Sequence, residues 1–254
     1  MKTAILFLVD GLRPDALEVA NTPTIDALMA DGTWTMSART VMPSVTLPCI
    51  ASLVLSAPPE DHGVTSNIWT PTNVGPGIFE IVAEAGGRAA SFYNWEQLRD
   101  LSRPGALQAG VYLNNSHTAQ GAGDLALAEQ AAAYLSRSRV DFAFVYLGHS
   151  DAAGHDFGWM SDTYLQAVET ADRCVATVLE AIPNHKDLLV AVTSDHGGHE
   201  THHGTPMDED MTTPIVLRGH PEHGAGTPLS GTASILDLAP TLAAWLGLPP
   251  APNW

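Results

Sequence analysis

Apolar positions in this chain fall into two kinds of run. The first kind is short and nearly continuous: "TAILFLV" at 3–9, "RAASFY" at 88–93, "DFAFVYLG" at 141–148, "DLLVAVTS" at 187–194 and "PIVLRG" at 214–219. Runs of this length, rich in β-forming residues, predict strands, most of them buried on both faces. The second kind has apolar residues three and four apart and predicts helices. "TPTIDALMADG" opens with Thr22 and Pro23 and stops at Gly32; a helix begins around Thr46; "GIFEIVAEAGG" follows; then come Asp124 to Ser138, Thr163 to Ile182 and a terminal helix in "SILDLAPTLAAWLG". Alternation of the two kinds predicts an α/β fold, a mainly parallel central sheet with helices on both faces. The segments 58–76 and 95–123 lack periodicity and are read as a small loop-rich cap over the sheet edge. No repeat or low-complexity tract interrupts the pattern, so the chain is expected to form a single domain over 1–254.

Composition narrows the partners. The 254 residues are 45% hydrophobic and 15% charged, enough to bury a sizeable core. Eleven Lys and Arg against twenty-eight Asp and Glu give a formal charge of -17, which leaves no basic footprint for a nucleic-acid duplex. No apolar run is long enough to span a bilayer, so no membrane partner is expected. The first run, Ala4 to Val9, is too short for a secretory signal and leads straight into "DGLRPD". With only Cys49 and Cys174 there is no disulfide framework, and a reducing, cytoplasmic setting is the expectation.

Chemistry-bearing residues follow three of the strands. Asp10 ends the first, "HSDAAGHD" follows the third, and "DHGGHETHHG" follows the fourth. In an open parallel sheet all three would open at the carboxyl edge, where ligands bind. Asp10, Asp151, His155, Asp195, His196 and His203 supply mixed oxygen and nitrogen donors, the set that suits zinc or a related first-row divalent ion. Such groups packed together without cations would repel. Singly, each is an ordinary turn or solvent-facing residue. Thr46, just ahead of Pro48, reads locally as a helix cap, and Asn67 as a turn residue beside Ser66.

Six segments in order, "FLVDGLRPD", "MPSVTLPCIASL", "EDHGVTSNIW", "YLGHSDAAGHDFG", "VTSDHGGHETHHGT" and "SILDLAPTLAAWLGLP", resemble the alkaline phosphatase superfamily, and more closely its nucleotide pyrophosphatase/phosphodiesterase branch. The resemblance covers nearly the whole chain. It implies a metal-dependent phosphodiesterase or nucleotide pyrophosphatase acting on a small phosphorylated substrate through a phosphothreonine. It implies two divalent ions, zinc by preference: one on Asp151, His155 and His203, the other on Asp10, Asp195 and His196. Thr46 would be the nucleophile and a ligand of the second ion, and Asn67 a donor to a non-bridging phosphoryl oxygen. Spacing alone leaves His199 and His202 as alternatives to His203, which is preferred for its "HGT" context. The alternatives in function are a phosphomonoesterase or phosphonate hydrolase on the same site, or a metal-binding homologue without turnover. A monoester dianion calls for nearby positive charge, for which Arg13, Arg39, Arg99 and Arg103 are the candidates. A sulfatase is disfavoured because Thr46 stands where those enzymes carry Cys or Ser.

Overall fold

A computed structural model describes residues 2–71, 74–114, 121–182, 187–219, 226–252 and 254. Its centre is an eight-stranded sheet. In chain order the strands are β1 (Thr3–Val9), β2 (Thr33–Arg39), β3 (Ala89–Tyr93), β4 (Leu107–Tyr112), β5 (Phe142–Leu147), β6 (Leu188–Thr193), β7 (Thr212–Arg218) and β8 (Thr227–Pro228). Across the sheet they lie in the order β4-β3-β5-β1-β6-β7-β2-β8. The first five positions are parallel, β7 runs antiparallel to both β6 and β2, and β8 pairs parallel with β2. The sheet is thus mixed and mostly parallel.

β1, β5 and β6 are fully buried along almost their whole length, which is why they read as continuous apolar runs. Alternate residues feed two cores. Leu6, Leu8, Phe142, Phe144 and Tyr146 face one; Ile5, Phe7, Val9, Val145 and Leu147 face the other. Over the first face lie α3 (Thr46–Leu55), α5 (Ile78–Glu84) and α10 (Leu238–Leu246); over the second lie α2 (Pro23–Asp31), α6 (Ala122–Leu135) and α8 (Asp162–Glu180). Every residue of α3 is buried, so it has no solvent-facing side and is not amphipathic. Short helices α1 (Ala16–Val19), α4 (Pro59–His62), α7 (His149–Phe157) and α9 (Asp208–Met211) occupy connections.

Among the elements longer than five residues, three depart from the sequence pattern. Leu107–Tyr112, inside the segment read as a loop-rich cap, is the edge strand β4. Its half-buried Leu107, Ala109 and Val111 alternate with exposed residues, a weak period because Gly110 interrupts it. Thr33–Arg39, mixed in polarity, pairs with β7 through a register shift between Thr35 and Ala38. Residues 149–157, read as a turn after β5, form α7. Residues 72–73 and 115–120 of the two cap segments lie outside the described residues. Among the described residues no helix is long and apolar enough to cross a membrane.

Candidate active site

β1 lies between β5 and β6, with Val9 opposite Leu147 and Leu8 opposite Thr193, so the chain leaves all three strands at one edge. Asp10 follows β1, Gly148 and α7 follow β5, and Ser194, Asp195 and His196 follow β6. Gly11 makes this convergence possible. Its φ is +66°, and a Cβ there would lie 3.3 Å from Asp151 Cα and Oδ1; a side chain would meet the α7 turn from a backbone conformation that disfavours one. α7 then presents Asp151 and His155, four residues apart, on one helical face.

Three imidazoles are held in the same way. His196 Nδ1 lies 2.7 Å from the Gly197 carbonyl, His203 Nδ1 2.9 Å from that of Ser44, and His155 Nδ1 2.9 Å from that of Thr201. A carbonyl can only accept, so each Nδ1 carries the proton and each Nε2 presents a lone pair. The Nε2 atoms point at carboxylates and at one another. His155 Nε2 and His203 Nε2 are 3.1 Å apart and lie 3.5 and 3.7 Å from Asp151 Oδ1. His196 Nε2 is 3.3 Å from Asp10 Oδ1 and 3.4 Å from Asp195 Oδ2. The His196 and His203 rings stack at 3.8 Å.

The carboxylates have complementary wiring. Tyr146 donates its hydroxyl proton to Asp10 Oδ2, and the Gly11 amide donates to Asp195 Oδ1 at 3.2 Å. Asp10 Oδ1, Asp151 Oδ1 and Asp195 Oδ2 are buried and accept no hydrogen bond from any described residue. Burial, then the neighbouring Asp195 and Asp151 charges, raise the Asp10 carboxyl well above its usual range. Burial likewise raises Asp195, to about 6. Burial lowers His196, and burial with the neighbouring His196 lowers His203 to about 4. Three orphaned anionic oxygens and three inward lone pairs repel one another unless cations lie among them. The donor set fits divalent ions, in two groups of mutually close ligand atoms: Asp151, His155 and His203, and Asp10, Asp151 and His196. Asp151 belongs to both groups, whereas the sequence pattern gave it to one.

Thr46 is the first residue of α3. The cap position belongs to Val45, in extended conformation, and the Thr46 side chain makes no capping bond. Its Oγ1 lies instead 3.2 Å from His196 Nε2, buried beside the carboxylates. Asn67 Oδ1 accepts the Leu47 amide proton at 3.0 Å, which fixes an otherwise exposed residue against the first turn of α3. His199 turns away, its Nδ1 2.7 Å from the buried Asp210, and His202 is exposed. The four arginines are bound elsewhere: Arg13 to Asp15 and the Gly198 carbonyl, Arg39 to Asp208 and Thr212, Arg99 to Glu96 and Asp100, Arg103 to the Val74 and Gly75 carbonyls. Tyr146 and Ser150, whose hydroxyl donates to the Asp10 carbonyl at 2.6 Å, were not legible as site residues. In sequence Tyr146 is one more aromatic in a core strand.

This fold, the candidate metal-binding atoms gathered at one sheet edge and the relatives that follow place the chain in the alkaline phosphatase superfamily. Residues 4–229 match the model of the family described as Type I phosphodiesterase / nucleotide pyrophosphatase, and the chain belongs to that family. It is similar to ectonucleotide pyrophosphatase/phosphodiesterase family member 3 of Rattus norvegicus, 26% identical over 220 residues, covering 78% of this chain and 25% of that one. With member 7 of Homo sapiens it is 24% identical over 218 residues, covering 76% of this chain and 47% of the relative. The chain therefore spans about a quarter to a half of the length of these relatives. Human ectonucleotide pyrophosphatase/phosphodiesterase 5 superposes with a TM-score of 0.80 at 15% identity, over 100% of this chain and 97% of that one, which shows the shared fold.

Proposed function

We propose that the chain is a metal-dependent phosphodiesterase that works through a phosphothreonine on Thr46. The observation that carries this reading is Thr46 Oγ1, uncapping and buried, 3.2 Å from His196 Nε2 among carboxylate oxygens that accept no hydrogen bond from any described residue. Asp151, His155 and His203 would hold one divalent ion and Asp10, Asp195 and His196 a second, with Thr46 Oγ1 beside the latter. The nitrogen and oxygen donors favour zinc. Bound there, the ions would supply the positive charge that lets a threonine hydroxyl act as an alkoxide near neutral pH and that offsets the phosphoryl oxygens.

The residues of the chain do the rest. Thr46 Oγ1 forms a bond to phosphorus as the bond to the leaving alcohol breaks, in line and opposite the attack. A water then displaces Thr46 Oγ1 from the phosphoryl group and frees the enzyme. The first turn of α3 offers backbone amides to developing negative charge. Because Oδ1 of Asn67 is taken by Leu47, its NH2 end is the one left to donate to a non-bridging phosphoryl oxygen.

Diesters are favoured over monoesters because the site has a neutral donor and, among the described residues, no uncommitted guanidinium. All four candidate arginines are paired, and Arg99 in particular is an exposed residue held between Glu96 and Asp100. A singly charged phosphoryl group suits that environment better than a dianion. The family name and its relatives agree with diester and pyrophosphate chemistry.

The test is metal analysis of the purified chain, followed by turnover of bis-p-nitrophenyl phosphate against p-nitrophenyl phosphate. The expected result is about two divalent ions per chain, a higher kcat/KM for the diester, loss of turnover in Thr46→Ala and partial retention in Thr46→Ser. Parental turnover by Thr46→Ala, or full activity after chelation with no metal detectable, would overturn the reading.

A further inference from the structure

α7 carries Asp151 and His155, yet nothing on its own segment caps it. Its cap residue is Gly148, which has no side chain to offer. A Cβ there would lie 3.0 Å from the Tyr146 ring and 3.2 Å from Asn94 Oδ1, so the position has little room for the Ser, Thr or Asp that would do the capping. The acceptor comes instead from another helix. Asp124, in the first turn of α6 and only 1% exposed, takes the His149 amide on Oδ2 at 3.1 Å and the Gly148 amide on Oδ1 at 3.3 Å. The same Oδ1 receives Asn94 Nδ2, at the end of β3, at 2.6 Å.

The start of α6 is itself fixed against α7. Gly121 has φ +72°, and a Cβ there would lie 2.8 Å from both His149 Cδ2 and Thr170 Cγ2. Among the described residues, Asp124 makes no side-chain bond to its own helix; its acceptors are spent on β3 and α7. Burial raises its carboxyl to about 6 while the Asn94, His149 and Gly148 donors pull it down. Keeping a carboxylate in this place is therefore costly, and the donors that offset the cost are Asn94 after β3 and the two amides that begin the helix bearing Asp151 and His155.

We propose that Asp124 is a positioning residue for the active site: it supplies in trans the N-terminal cap of α7 and thereby sets where Asp151 and His155 present their ligand atoms. This rests on the reading of those two residues as metal ligands. Asp151 is the third residue of α7, so its carboxylate follows any slip or fraying of the first turn, whereas Asp10, Asp195 and His196 hang from β1 and β6 and do not.

The experiment titrates zinc into the chelated 254-residue chain by calorimetry, comparing the parent with Asp124→Ala, Asp124→Asn and Asn94→Ala, with amide hydrogen exchange read across residues 148–152. The parent's zinc stoichiometry tests the functional reading; the variants, each compared with the parent, test this inference. Asp124→Ala is expected to weaken one of the two zinc sites by about ten- to a hundredfold, to lose exchange protection at Gly148 and His149, and to regain bis-p-nitrophenyl phosphate turnover as zinc is raised. Asn94→Ala leaves both cap bonds in place and is expected to bind zinc as the parent does. Asp124→Asn keeps the volume but puts an amide against a donor, and decides the matter if the alanine variant does not fold. Parental affinity at both zinc sites, or equal weakening of both in Asp124→Asn, would overturn the proposal.

Discussion

Asp195→Asn should stabilise the metal-free protein at neutral pH, although it removes a proposed ligand. Asp195 is fully buried, and its Oδ2 faces the lone pair of His196 Nε2 at 3.4 Å with no donor among the described residues to meet it. Burial raises its carboxyl from 3.8 to about 6. A carboxyl whose folded value is raised holds its proton more tightly when folded, so its contribution is fully present below about pH 4. That contribution is lost as pH rises to about 6 and stays lost above. At about 1.4 kcal/mol per pH unit the gap corresponds to about 3 kcal/mol. An asparagine keeps its Oδ1 on the Gly11 amide and turns an NH2 toward His196 Nε2, replacing a repulsion with a hydrogen bond. Urea unfolding of the chelated proteins is the assay. D195N should exceed the parent by about 1–3 kcal/mol at pH 7.5 and approach it near pH 4; groups away from the site cancel, while Asp10, whose carboxyl the Asp195 charge raises, titrates lower in the variant. On adding zinc the order should invert, because the parent gains a charged ligand that the variant lacks. A chelated parent at least as stable as D195N at pH 7.5 would refute the argument that these carboxylates are held apart from their partners.

Two other substitutions separate binding from chemistry. Asn67→Ala should lower kcat/KM for bis-p-nitrophenyl phosphate by about ten- to a thousandfold, the range for removing one oxyanion donor, with zinc content unchanged; parallel loss of zinc would make Asn67 a support of α3 rather than a donor. Arg99→Ala should leave both diester and monoester kinetics within about twofold of the parent, because its guanidinium is spent on exposed pairs with Glu96 and Asp100. A monoester preference that collapses in Arg99→Ala would reverse the diesterase assignment.

What was legible in the sequence follows from how local each signal is. β1, β5 and β6 are buried on both faces, so their identity is written in consecutive residues, and α8 shows its apolar stripe over five turns. β2 and β4 are defined by a partner: one shifts register against β7, the other is an edge strand whose apolar side is Leu107, Ala109 and Val111 alone. α7 is short and polar, with Ala152 and Ala153 its only buried apolar side chains, and the acceptor for its first amides is Asp124, twenty-four residues before Gly148. No window of sequence contains that contact.

The same division runs through the site. Asp10, Asp195 and His196 could be placed at one edge because each directly follows a strand that reads clearly. The choice among His199, His202 and His203 could not be made that way, since it depends on which imidazole finds a carbonyl. His203 Nδ1 reaches Ser44, 159 residues earlier, while His199 Nδ1 is drawn off to Asp210. Thr46 shows the consequence for chemistry. Its neighbours Pro48 and Ile50 describe a helix start and nothing more, and a hydroxyl there would ordinarily cap. The extended Val45 takes the cap position, the Ser44 carbonyl ties that stretch to His203, and Asn67 occupies the Leu47 amide. Contacts on both sides of Thr46 thus fix the backbone that carries it, and its hydroxyl, freed from the helix, is left facing His196.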